Sequence, residues 1–200
     1  MIKLYDHPLS GNCYKVRLTL SQLGVEYERI NLDIFNGEQN RPEFTALNPN
    51  RKIPVLVDGD FVIWESNAIL LYLGRRLSPN RLYSEDPKTF GLITQWLFFG
   101  KTTIDPTLAR ARFMTRFVSA EKRDEKELAS LREGGKAALG ILNDRLRKGD
   151  FLAGSYSLAD IGCYAYVSTA EEGGISLSPF PAVVDWCDRI QSQPGYVPMY

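Results

Sequence analysis

Residues Asn48–Leu73 read NPNRKIPVLVDGDFVIWESNAILLYL, and this stretch decides the fold. Two apolar runs, Ile53–Val57 and Phe61–Trp64, flank Asp58-Gly59-Asp60. Asp-Gly between two β-rich runs is a strong hairpin signal. Pro54 lacks an N–H and cannot sit inside a central ladder, so it belongs at a strand start. Glu65-Ser66 closes the second run, and helical periodicity begins at once. The segment is predicted as strand, tight turn, strand, helix. Two of its spots suit a peptide-like ligand. If the Ile53–Pro54 bond is cis, the preceding backbone turns outward, and Ile53 can offer its N–H and C=O to an extended peptide. Ser66, read as the N-cap of the helix, adds a hydroxyl to the free N–H groups of a helix start, a combination that binds a carboxylate. Glu65 can meet an ammonium, so the pair suits an α-amino acid end. The plainer reading stays open at this point: Pro54 only starts a strand and Ser66 only caps a helix.

Working outward, Ile2–Tyr5 is predicted as a first strand and Tyr27–Leu32 as a second. Cys13–Leu23 between them is predicted helical, with Val16, Leu20 and Leu23 on one side and Gly24 as its stop. Asp33–Asn50 is loop with a helical turn at Pro42–Ala46, and Ser66–Leu77 is a helix. Strand, helix, strand, hairpin and helix make a compact α/β unit of thioredoxin-like order over residues 1–77. SPNRLYSEDP, residues 78–87, is rich in turn formers and reads as a linker. Residues 88–200 are predicted all-helical. Lys88–Phe117 carries Pro106 as an expected kink or break. Asp124–Lys148 has leucines at helical spacing. Leu158–Glu172 is apolar nearly all round, which argues for a buried central helix. Pro181–Gln193 is a last amphipathic helix.

Composition limits the function classes. In 200 residues, 24 basic side chains balance 24 acidic ones, which gives no general drive toward nucleic acid or an anionic membrane. Three cysteines, Cys13, Cys163 and Cys187, are scattered and form neither a disulfide framework nor a CxxC pair. A reducing cytoplasm is the expected compartment. The start MIKLYDHPLS is not a signal peptide, and no apolar run approaches a membrane span. A single histidine, His7, rules out multi-histidine metal sites and weakens a serine–histidine hydrolase reading.

Strand–IPVL–strand–ESNAI–helix resembles the glutathione-binding half of the cytosolic glutathione transferases. GEQNRPEFTALNPNRKIPVL (Gly37–Leu56) and GSYSLADI (Gly154–Ile161) extend the likeness along most of the chain. The closest similarity in motif is to the serine-using phi and theta types. The resemblance implies an α/β plus all-α protein, with a thioredoxin-like domain followed by a helical bundle. It implies a homodimer that joins glutathione, as co-substrate and with no metal, to hydrophobic electrophiles in detoxification. Two rivals stay open, a glutathione-dependent peroxidase or disulfide reductase and a non-catalytic glutathione-binding interaction module.

The resemblance also assigns residues. SGNCYKVRL is similar to the serine-bearing turn of the family, with the catalytic serine falling on Ser10. Gly11 lets the backbone approach a ligand, and Asn12 is a second polar group near the same point. Some bacterial members use an asparagine close to this place, so the division between Ser10 and Asn12 is open. A serine hydroxyl donating to a thiolate is worth roughly 1.5–3 kcal/mol, which lowers a thiol pKa by about one to two units at ~1.4 kcal/mol per unit. Cys13 competes for the role, because a thiol at a helix start can be acidic and redox active. Lys52 matches the partner of the glycine carboxylate of glutathione, and Gln39 a second contact where phi enzymes often carry histidine. Ile53, with Pro54, matches the backbone partner of the cysteinyl unit. Glu65 and Ser66 match the γ-glutamyl grip. Leu9, Trp96, Phe99 and Phe113 are candidates for the apolar wall of an electrophile pocket contributed largely by the helical domain, although their spacing also fits ordinary core. Ser157-Leu158-Ala159-Asp160 reads as a structural capping box.

Overall fold

The computed structural model describes residues 1–200. It divides into two compact units, Met1–Asn80 with Pro194–Tyr200, and Arg81–Gln193.

The first unit is a thioredoxin-like arrangement. Its strands are β1 (Ile2–Asp6), β2 (Tyr27–Asn31), β3 (Val55–Asp58) and β4 (Phe61–Trp64); its helices are α1 (Gly11–Gln22), α2 (Pro42–Leu47) and α3 (Ser66–Arg76). The sheet order is β2-β1-β3-β4. β1 runs parallel to β2 and antiparallel to β3, which is antiparallel to β4. Asp58 pairs with Phe61, leaving a two-residue loop in which Gly59 takes φ 66°, a turn with glycine in its first central position. Strand alternation then sorts the side chains. Leu4 and Leu56 are fully buried, as are Val16, Leu20, Ile69 and Leu73 of the mutually packed α1 and α3. Tyr5, Val55 and Val57 join Leu32 and Phe44 in a second apolar cluster that includes α2.

The second unit is helical, with α4 (Pro87–Phe99), α5 (Arg110–Phe117), α6 (Glu125–Leu146), α7 (Leu158–Val167) and α8 (Pro181–Gln191). Asp86 and Asp124 cap α4 and α6 through their carboxylates. Every residue of α7 is buried, as a helix apolar nearly all round requires, with Asp160 its one charged residue. α4 packs on α7, and α6 on α8.

Three expectations are corrected. Pro106 does not break its helix; residues Gly100–Ala109 widen into a π-helical stretch that carries the chain from α4 into α5. Wider winding suits a residue that cannot donate to the ordinary ladder and whose ring crowds the carbonyl four residues back. The central helix stops at Val167, and a short 3-10 turn, Ala170–Gly173, follows it. The unit boundary at Asn80–Arg81 falls inside the expected linker 78–87, of which residues 78–86 carry no helix or strand and Pro87 is already the first helical residue of α4. Pro194–Tyr200, expected with the helical domain, belongs to the first unit. Tyr14 Oη donates to the Val197 carbonyl at 2.8 Å, Ser21 Oγ to Gly195 O at 2.8 Å and Arg17 Nη2 to Met199 O at 2.8 Å, which fastens the segment to α1.

Candidate functional site

The sheet register gathers the candidate segments at one end. Tyr5, near the end of β1, pairs with Val55 at the start of β3, which pairs with Trp64 at the end of β4. Asp6 pairs with Asn31, the last residue of β2. The turn His7–Ser10, the Ile53–Pro54 step, the Glu65–Ser66 step and the loop leading to Gln39 therefore all leave the same end of the sheet. The N-termini of α1 and α3 lie there too, and helix N-termini favour anions.

Ser10 is the N-cap of α1. Its Oγ accepts from Cys13 N at 3.3 Å, and its own N–H donates to His7 O at 3.0 Å. Capping uses a lone pair of the hydroxyl and leaves its proton able to donate. The side chain is half-buried, within reach of a ligand. Asn12 stands two residues further on, and its Oδ1 accepts the Ser66 hydroxyl proton at 3.1 Å. With its acceptor end engaged, Asn12 retains two amide N–H donors, the polarity that a thiolate needs. This bond ties the start of α1 to the start of α3.

Cys13 is fully buried. Burial first, and the Asp6 carboxylate second, push its thiol well above the ordinary cysteine range, outweighing the opposing Ser10 and His7 hydrogen bonds. A buried, protonated thiol is inert. Burial pushes the Cys187 thiol up as well, to about 12.

Ser66 is the first residue of α3 and not its N-cap, which corrects the expected cap. Glu65 takes the cap position, at φ 69° and ψ 112°, and its side chain does not cap the helix. A non-glycine residue held there costs about 1–3 kcal/mol, and such positions gather at ligand clamps. The left-handed φ turns the chain from β4 into α3 with no spacer, so Ser66 is buried beside Asn12.

The Ile53–Pro54 bond is cis. Ile53 lies outside the ladder, which begins at Val55, and its backbone N–H and C=O make no backbone hydrogen bond. Lys52 is exposed. Its carbonyl accepts from Asn48 Nδ2 at 2.7 Å, while Asn48 Oδ1 accepts from Asn50 N at 2.9 Å. Asn48, almost fully buried, thus shapes the approach to Ile53. Sequence reasoning passed over it; the signal was an Asn-Pro-Asn turn directly before the basic pair. Gln39 sits in a 3-10 turn, Glu38–Asn40, and its Oε1 is buried with no hydrogen-bond partner in the protein. An acceptor left so costs about 1–3 kcal/mol, which a ligand N–H relieves.

The apolar candidates do not form one described surface. Leu9 is half-buried in the first unit. In the second, Trp96 is buried core with its ring edge-on to Phe99 at 5.3 Å, whereas Phe113 on α5 is 44% exposed. A groove of about 690 Å³ lined by Met1, Val25, Glu26, Tyr27 and Glu28 lies at the opposite end of β1, away from this chemistry.

Comparison with known proteins identifies the family. Residues 1–75 match the family model of the glutathione S-transferase N-terminal domain, and residues 107–194 that of the C-terminal domain. Glutathione S-transferase D7 of Drosophila melanogaster is 37% identical over 92% of this chain and 82% of its own length. The disulfide-bond oxidoreductase YfcG of Escherichia coli is 32% identical over 98% and 92%. The crystal structure of a glutathione S-transferase from Pseudomonas fluorescens superposes with a TM-score of 0.94 at 39% identity, covering 99% of this chain and 98% of that one. The glutathione transferase URE2P6 of Phanerochaete chrysosporium, solved with oxidized glutathione, gives 0.90 at 28% identity over 97% and 92%. With both family domains matched in order and near-complete coverage of its relatives, the chain belongs to the glutathione S-transferase family.

Proposed function

We propose that this chain is a glutathione transferase that holds the tripeptide at the gathered end of the sheet and joins its sulfur to hydrophobic electrophiles. The observation that carries the reading is the Ser66–Asn12 hydrogen bond of 3.1 Å, which couples the anion-ready start of α3 to the turn bearing Ser10. Ile53 pairs with the cysteinyl backbone through its unused N–H and C=O. Ser66 and the α3 N-terminus take the γ-glutamyl carboxylate, and Glu65 its ammonium. Lys52 meets the glycine carboxylate, and Gln39 accepts a ligand N–H.

A free thiol of pKa ~8.5 is only a few per cent ionised at neutral pH. One hydrogen bond to the thiolate, worth about 1.5–3 kcal/mol, moves that value down by about one to two units. Ser10 supplies it, with Asn12 as second donor and the α1 N-terminus adding favourable potential. The thiolate then adds to, or displaces a leaving group from, an electrophilic carbon held against apolar side chains, among which Phe113 is exposed. Homodimerisation is supported by exposed apolar side chains, Phe61 and Trp64 on β4 and Leu92 and Phe98 on α4. Three free cysteines suit a reducing compartment, so we place the enzyme in the cytoplasm, with detoxification as its role. No helix is long and apolar enough to cross a membrane.

The similarity to a disulfide-bond oxidoreductase favours a second activity on disulfides. Because Cys13 is buried and its thiol protonated, any such turnover runs on glutathione thiols alone. Calorimetry with millimolar glutathione, then turnover with a halogenated aromatic and with a model disulfide, tests both readings. Binding with aromatic substitution supports the transferase; disulfide turnover alone supports the second reading; absence of binding sinks both.

A further inference from the structure

Beneath the Ser10 turn lies a buried polar cluster that the catalytic scheme does not use. Asp6, at the end of β1, is fully buried and pairs with Arg17 of α1 at 2.6 Å and with Arg29 of β2. Arg17 is itself 6% exposed. Nη1 also reaches His7 O at 3.4 Å, while Nη2 donates to Pro8 O at 3.1 Å and to Met199 O at 2.8 Å. His7 O is the carbonyl that accepts the Ser10 N–H. One rigid planar fork thus grips His7 and Pro8 at the start of the turn into Ser10, the strand end below them and the carbonyl of a residue far away in sequence. Arginine alone offers five fixed donors for such a task. Met199 is brought within reach because Tyr14 and Ser21 hold Val197 and Gly195 on the outer length of α1.

We propose that Pro194–Tyr200 is a strap that, through Arg17, fixes the His7–Ser10 turn in its sulfur-binding geometry, with Arg17 as a positioning residue. The inference rests on the assignment of Ser10 as thiolate donor. Without the Met199 carbonyl, one Nη2 proton loses a buried acceptor and the fork is free to swing away from Pro8. Hydrogen bonds to a thiolate weaken steeply with misalignment, and displacements on the scale of an ångström matter at reacting centres. Loosening the turn therefore acts on the sulfur and not on the ends of glutathione, whose partners lie on other segments.

Two changes in the full-length protein cut the link from opposite sides. Arg17→Lys keeps the charge and loses the fork. Deletion of Pro198–Tyr200 removes the Met199 carbonyl and keeps Val197 for Tyr14. The readout is thiolate absorbance of bound glutathione against pH, together with thermal melting, the KM for glutathione and the pH profile of kcat. Folded variants are expected to keep the glutathione KM within about twofold while the thiolate midpoint rises by about half a unit, a threefold loss of kcat near pH 6.5 that disappears at alkaline pH. If Arg17→Lys does not fold, the deletion decides alone. A wild-type thiolate midpoint in the folded deletion variant overturns the strap, even where its melting temperature falls. Ser10→Ala is titrated in parallel: an unmoved midpoint there removes the assignment on which the strap rests, whereas a raised midpoint there beside wild-type midpoints in both strap variants removes the strap alone.

Discussion

Ser10 carries two hydrogen-bonding tasks, and they predict different losses. As a cap it accepts from Cys13 N; in the proposed mechanism its proton is donated to the ligand thiolate. Ser10→Ala is expected to destabilise the protein by about 1 kcal/mol and to raise the pKa of bound glutathione by about one to two units. Denaturant melts measure the first and thiolate absorbance the second. Ser66→Ala removes the hydroxyl that donates to Asn12 and so the tie between the starts of α1 and α3; its expected cost of about 0.5–1.5 kcal/mol in ligand affinity, roughly two- to tenfold in Kd, is read by calorimetry. Cys13→Ala is expected to leave kcat/KM within about twofold, because a buried neutral thiol does no chemistry; a large loss of turnover in the folded variant would restore the cysteine as the reacting group. That both serines stand at helix starts was legible, because short polar residues favour those positions. The depth of Cys13 was not, since the first turn of a helix does not declare which of its faces the sheet will cover.

Asp160 shows how an element termination becomes a pH-sensitive joint. Its carboxylate accepts from Ser157 N at 3.0 Å in a capping box, and also from Leu152 N at 3.0 Å and Trp186 Nε1 at 2.9 Å, so it binds the start of α7 to α8. Asp160→Ala strands several buried donors, each at about 1–3 kcal/mol, and is expected to destabilise by about 3 kcal/mol or more in urea melts. Burial pushes the carboxyl up to about 6, against the lowering effect of those donors. Because the folded value lies above the unfolded ~3.9, the native state binds more protons between the two values. The contribution of Asp160 is thus fully present below pH ~4 and declines as pH rises through about 6. Melts of the wild type and Asp160→Ala from pH 4 to 8 are expected to converge as pH rises through that window; parallel curves would exclude the titration. The capping box was legible as Ser-x-x-Asp, but its links to Leu152 and Trp186 join residues far apart in spacing and were not.

For the whole molecule, size-exclusion chromatography with light scattering is expected to give twice the monomer mass. Replacing Phe61 and Trp64 together by serine is expected to yield monomers with the fold retained, since both side chains lie on the edge strand β4 and are 45% and 38% exposed. Wild-type monomers in solution would contradict the homodimer. Chain topology is also where Pro194–Tyr200 changes meaning. Read in order it trails the helical domain; in space it is part of the unit that carries Ser10.

By itself the sequence determined the local units: the Asp-Gly hairpin, the proline-led strand and the buried α7 with its capping box. Each depends on residues within a turn or two of one another, where propensity, periodicity and capping act directly. Only the tertiary structure decided that four segments leave one end of the sheet, that Ser66 lies beside Asn12 rather than capping α3, and that Arg17 joins the Ser10 turn to Met199. Those outcomes depend on strand register and on a left-handed Glu65, and neither pairing nor a single positive φ leaves a periodic trace in the chain.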